Sequence, residues 1–130
     1  MNELSNDTLV YRILLKRQWI DPDTKEVRPE AFTRKFKQKL NDYEEYLSCN
    51  LDVESYQKFK SWGVAELSVN DIRELDLDAI QDRENHVSIT NLPHPEKEAK
   101  RAEDLARKLA KKARLIKFFE KGYKPQKKNS

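Results

Sequence analysis

The run His86-Val87-Ser88-Ile89-Thr90 holds the first side chains in this 130-residue chain whose types and spacing suit chemistry, because an imidazole moves protons near neutral pH. Paired imidazoles acting as base and acid on a phosphate ester need a second such strand. The only other histidine, His94, is followed by Pro95 and Glu96 at a helix entrance. A lone histidine at a strand start, satisfied by hydrogen bonds, is the simpler reading of His86. Asp21-x-Asp23-x-Lys25 starts like a calcium loop, but lysine takes the third ligand place and Phe32 falls where a bidentate glutamate belongs. Those are turn residues. Cys49 is the single cysteine, so with two histidines it completes neither an internal disulfide nor a closed zinc site. Only Gly63 and Gly122 are present, which removes glycine-rich phosphate loops. No metal and no cofactor is expected.

Charge is the second resource. The net charge is +3, yet residues 1–39 carry +3, residues 40–99 carry −9 and residues 100–130 carry +9. Such asymmetry points either to an anionic partner for the basic end or to mutual attraction of the two regions within one fold. On a helix over 95–120, Ala102, Leu105, Ala106, Leu109, Ala113, Ile116 and Phe119 form one stripe, and Arg107, Lys108, Lys111 and Arg114 lie opposite. Leu115 and Phe118 fall on or near the basic side, where an aromatic among cations could stack on a base or fill a partner's pocket. The candidate binding set is therefore Arg107, Lys108, Lys111, Arg114, Leu115 and Phe118.

These side chains must be positioned by a small core. Charged residues make up 38% of the chain, and Leu, Ile, Val and Phe number 31 of 130, enough to fold. Leu9 to Leu15 reads as a buried strand. Trp19 and Phe32 are expected to pin a long loop, and Phe32, Phe36 and Leu40 have the spacing of a short amphipathic helix, with a strand and a loose basic loop as the alternative. A strand over 43–49, a helix over 53–61 capped by Gly63, a strand over 64–69, a helical turn capped by Asn70, a short strand at 79–80 and a strand at 86–90 follow. Pro95, early glutamates and a lysine-rich end with Gly122 beyond it predict the long helix 95–120. The expected fold class is α+β: a small, mostly antiparallel sheet covered by a long C-terminal helix. Residues 1–120 form a single domain, and 121–130 a basic disordered tail. No apolar run approaches the length of a membrane span and no secretion signal is recognisable, so a cytoplasmic protein is expected.

Two resemblances add expectations. Arg12 on a first strand, Ser48 ending a second and Glu66 on a third resemble the Arg, Ser, Glu set of some ADP-ribosyltransferases; there the arginine holds cofactor phosphates and the glutamate orients the ribose. With His86, these residues make up the alternative catalytic set. Chance placement, with a strand arginine paired to the acidic middle, is the competing reading. Separately, Tyr11-Arg12, Trp19-Ile20-Asp21 to Ala31-Phe32, Gly63 to Leu67, Ile72 to Leu75 and His86 to Pro93 resemble a family of small bacterial proteins of unknown function, frequent in cyanobacteria. Where that pattern has Gly-Leu-Ser-Val, this chain has Tyr46-Leu47-Ser48-Cys49. The resemblance implies a bacterial cytosolic protein.

The function expected first is a non-catalytic interaction or regulatory module working through the basic C-terminal helix and tail, with a protein partner or self-association. A nucleic-acid-binding accessory protein comes second. Third is a small ADP-ribosyltransferase-like or RNA-processing toxin, in a toxin–antitoxin or defence context. No membrane partner is expected.

Overall fold

The structure, a computed structural model, describes residues 3–126. Its strands and helices run β1 (Leu9–Leu14), β2 (Phe36–Lys37), β3 (Asp42–Tyr43), β4 (Leu47–Asn50), β5 (Ser61–Ser68), α1 (Val69–Arg73), β6 (Asp78–Arg83), β7 (His86–Thr90), α2 (Ala99–Lys112) and β8 (Arg114–Tyr123). β2 and β3 pair by themselves; the other six strands make one sheet in the order β6-β7-β4-β1-β5-β8, antiparallel throughout.

Register sorts side chains onto two faces, because directly paired residues share a side and neighbours along a strand alternate. Val10, Arg12 and Leu14 fall with Leu67 and Ala65 of β5, Leu47 and Cys49 of β4, and Val87 and Ile89 of β7. Apart from Arg12, these side chains are apolar, and they join Leu105, Ala106, Leu109 and Ala110 of α2 in the core. The other face carries Tyr11, Ile13, Ser48, Asn50, Glu66 and His86. It is only partly covered, by a 3₁₀ turn at Val53–Lys58 lying against β1 and β5. The loop after β1 is pinned by Trp19 and Phe32, 4% and 2% exposed. Asp21 is a turn residue: its Oδ1 accepts from the backbone N–H groups of Asp23 (2.9 Å) and Thr24 (3.0 Å).

The expected long helix is corrected by α2, which has 14 residues, and by β8, a ten-residue strand paired with β5. A sheet covered by a long C-terminal helix is therefore not the architecture. At Ala113 the backbone is already extended, with φ −73° and ψ 140°. The apolar stripe through residue 119 fits a helix, but the composition changes after Lys112. Leu115-Ile116-Lys117-Phe118-Phe119 is β-branched and aromatic, and pairing with β5 satisfies a ladder that a helix could not. Gly63 makes this possible. A Cβ there would lie 2.6 Å from the Lys117 carbonyl oxygen, so the glycine permits close strand approach and is not a helix cap.

Four smaller expectations also shift. The helical turn begins before Asn70: Ser68 is its cap, Oγ accepting from the Asp71 backbone N–H at 3.0 Å. The helix at 53–61 is the 3₁₀ turn, which ends at Lys58. The stripe Phe32, Phe36, Leu40 gives no helix: Phe36 lies in the β2–β3 hairpin and, with Leu40, is exposed (49% and 65%), because the fold offers no surface against which a helix there could bury them. The strand at 43–49 divides into β3 and β4. Of the expected tail, residues 121–123 belong to β8, and 127–130 lie outside the described residues. No helix among the described residues is long and apolar enough to cross a membrane.

Candidate functional site

β1 and β4 pair at Tyr11↔Asn50 and the ladder goes no further. Beyond that pair the Arg12 guanidinium occupies the gap, Nη1 donating to the Ser48 carbonyl and Nε to the Ala31 carbonyl, each at 2.9 Å. A guanidinium has five N–H donors, so three are left for the space beside it. Arg12 is only 5% exposed and lies 5.3 Å from the centroid of the Trp19 ring. The space is a cleft of about 300 Å³ lined by Arg12, Lys35, Lys37, Ser48, Arg83 and His86, with Glu44 its one carboxylate. Glu44 is taken by Lys37 at 3.3 Å. Among the described residues, no carboxylate lies within 4.0 Å of Arg12, Lys35 or Arg83. Burial, then repulsion from Arg12, Lys16 and Lys37, brings the Lys35 ammonium down to about 8.

Beside these cations runs a chain of hydrogen bonds across β4, β7 and β6. His86 Nδ1 lies 2.6 Å from Asp82 Oδ1, and Nε2 lies 3.1 Å from Ser48 Oγ. An ionised carboxylate only accepts, so Nδ1 carries a proton, and Nε2 lies within hydrogen-bond reach of the Ser48 hydroxyl. Ser88 Oγ donates to the other Asp82 oxygen at 2.9 Å, which fixes the carboxylate. Burial raises the Asp82 carboxyl, but the bonds from His86 and Ser88 and the attraction of His86 prevail and hold it below its ordinary range. Local backbone explains the reach. Asn85, at φ 66°, turns the β6–β7 hairpin, and an irregularity between Gln81 and Arg83 leaves Asp82 unpaired in the ladder.

Of the alternative catalytic set, Arg12, Ser48 and His86 all line this cleft: Ser48 and His86 come from one face of the sheet, and Arg12 reaches the gap in the ladder from the other and bonds the Ser48 backbone carbonyl. Glu66 does not. It sits on β5, two strands from Ser48 or roughly 10 Å at ordinary strand spacing, and binds Arg114 at 3.0 Å. Glu66 thus lies apart from the other three, and the carboxylate beside His86 is that of Asp82. His94 lies elsewhere: its Nε2 is 2.8 Å from Asp42 Oδ1, and its Nδ1 accepts from the backbone of Glu96 and Lys97. Cys49 is buried, and burial pushes its thiol up to about 11, so it is no nucleophile. Sequence reading missed Asp82, Lys35 and Arg83. A signal existed for Asp82, since a carboxylate four residues before His86, across a turn containing Asn85, folds back onto it.

The expected basic helix face is divided. Arg107, Lys108 and Lys111 are exposed on α2, whereas Arg114, Leu115 and Phe118 are on β8. Arg107, Lys111, Arg114 and Leu115 nevertheless line one groove, and Phe118 lines the next. Lys108 faces neither and pairs with Asp104 at 3.0 Å. The acidic middle and basic end do attract each other, through Arg114–Glu66 and Lys112–Glu74, both at 3.0 Å. Among the described residues there is no cluster of three or more metal-ligating side chains.

Comparison with family models, curated proteins and solved structures finds no match to this chain.

Proposed function

We propose that the β1–β4 cleft binds a phosphate-bearing substrate, and that Ser48, His86 and Asp82 act on it as nucleophile, proton carrier and orienting carboxylate. Arg12 carries this reading. A buried ion without a close counter-ion is destabilising by roughly several kcal/mol, and strongly perturbed charged groups in clefts cluster at functional sites. Here the cation is buried, has spare donors and lines a cleft in which Arg12, Lys35 and Arg83 have no carboxylate within 4.0 Å; Glu44, the one carboxylate that attracts Arg12 and Lys35 there, is paired with Lys37. A phosphate dianion supplies the missing charge and accepts the free N–H groups. In the reaction, Ser48 Oγ gives its proton to His86 Nε2 and attacks phosphorus. The ester oxygen departs with that proton; His86 then takes a proton from water, the water oxygen bonds phosphorus as the bond to Ser48 Oγ breaks, and His86 returns the proton to Oγ. Asp82 keeps Nδ1 protonated and stabilises the transient imidazolium. Arg12 and Lys35 face the oxygens on which charge grows. The test is hydrolysis of p-nitrophenyl phosphate and bis-p-nitrophenyl phosphate by the wild type and by Ser48→Ala, His86→Ala and Asp82→Asn. Loss of turnover in all three with unchanged folding supports the relay. Equal turnover in wild type and variants defeats it.

A second reading is an interaction module working through α2 and β8. It is favoured by Arg107, Lys111, Arg114 and Leu115, which sit on two elements yet line one groove.

A further inference from the structure

We infer that the occupant of the α2–β8 surface is a single-stranded nucleic acid; the inference rests on the second reading above and is independent of the cleft chemistry. Two neighbouring grooves, about 510 and 580 Å³, share Lys25. Lys25, Arg107, Lys111 and Arg114 line the first, and Arg17 and Arg28 add to the second, against two carboxylates, Glu26 and Glu120. Arg28, Arg107 and Arg114 have partners in Asp21, Glu103 and Glu66. Among the described residues, Arg17, Lys25 and Lys111 have no carboxylate within 4.0 Å.

The second groove also presents flat aromatic surface. Trp62 and Phe118 line it and Phe118 is 38% exposed; Arg17 lies over the Trp62 ring, 5.5 Å from its centroid, and Lys25 over the Phe118 ring, 4.6 Å from its centroid, so a base that stacks on either ring displaces the cation or takes the opposite side. Cations tracking a backbone beside aromatic faces are how single strands are held without sequence readout. A strand-pairing protein fits less well. β8 is one of the two edges of the sheet, but its lysines and arginine and the two irregularities in its pairing with β5 blunt that edge.

The test is fluorescence anisotropy of labelled 15-nucleotide single-stranded RNA and DNA, and of a DNA duplex, with the full chain at several salt concentrations. Expected is binding to single strands that falls with salt, with a log–log slope of about −0.7 for each phosphate contacted. Lys111→Glu should weaken it about tenfold and flatten the slope, whereas Lys108→Glu, the same charge change on the other flank of α2, should alter it less than about twofold. Phe118→Ala should weaken binding at least about fivefold with the slope retained. Preference for RNA or DNA identifies which strand is bound, and either supports the proposal. Equal affinity for the duplex, absence of binding, or equal effects of the two lysine variants overturns it. If oligonucleotides fail but a nuclease-resistant protein from lysate is retained and lost with Lys111→Glu, the nucleic acid falls and the rim reading stands. If neither is bound, both fall.

Discussion

The cleft between β1 and β4 and the rim along α2 and β8 are both cationic, yet they hold their charge in opposite ways. In the cleft, Arg12 is 5% exposed with no carboxylate against it; on the rim, the Arg107 and Arg114 side chains are 54% and 76% exposed, and each has a glutamate. Water solvates the rim, and salt screens it within about 10 Å at ordinary ionic strength. The Arg12 guanidinium instead rests on the Ser48 and Ala31 carbonyls and the Trp19 ring. A buried cation without a counter-ion implies a particular anion, whereas exposed cations acquire meaning only in number and beside aromatic faces. The cleft should therefore recognise a small group at a defined geometry, and the rim a long polyanion at many weak contacts.

The largest effect that would sharpen this contrast is chemical. His86→Ala should lower phosphoester turnover by about 10²–10⁴-fold, measured as kcat, and leave oligonucleotide affinity at the rim unchanged. Next is Gly63→Ala. The added Cβ meets the Lys117 backbone, so β8 must shift; a loss of about 1–3 kcal/mol in urea unfolding is expected, with weaker oligonucleotide binding and intact sulfate binding, because β8 does not line the cleft. A retained oligonucleotide affinity would separate the rim from β8 and break the comparison.

A smaller effect follows from Lys35, whose pKa of about 8 lies below the ordinary 10.5. The unfolded chain holds this proton to higher pH, so the group's contribution to stability rises with pH between about 8 and 10.5. Anion affinity runs the other way. Sulfate, a dianion throughout this range, should bind severalfold more weakly at pH 9.5 than at pH 7 by calorimetry, and a flat profile would remove Lys35 from the site. Smallest is Asp82→Asn on stability. Its carboxylate, held low by His86 and Ser88, contributes stability above the unfolded pKa that is lost as pH falls through the folded one, so the variant should differ from wild type at pH 7 and the difference should shrink as pH falls below the ordinary 3.8 in thermal melts.

Much of the sheet was legible because strands with one packed face announce themselves. Val10, Leu14, Ala65, Leu67, Val87 and Ile89 alternate or cluster in sequence as they do in the core. β8 was not, because Ala113, Ile116 and Phe119 continue a helical stripe by spacing alone, and the deciding factor, the free edge of β5, is a tertiary partner. The site divides similarly. Arg12, Ser48 and His86 stand out by type, but their convergence depends on the strand order β7-β4-β1, which no local pattern encodes. Glu66 was grouped with them because it is also a strand carboxylate; the order places it on the far side of β1, against Arg114. Asp82 reaches His86 through an irregular strand pairing, which sequence periodicity hides.

The most direct measurement is isothermal titration of sulfate into the wild-type chain, Arg12→Met and Lys35→Met, with thermal melts confirming that each variant is folded. One-to-one binding in the wild type, lost with Arg12→Met and weakened with Lys35→Met, is the result expected of a cleft that awaits an anion. Absence of binding in the wild type, or equal binding in all three, would contradict it.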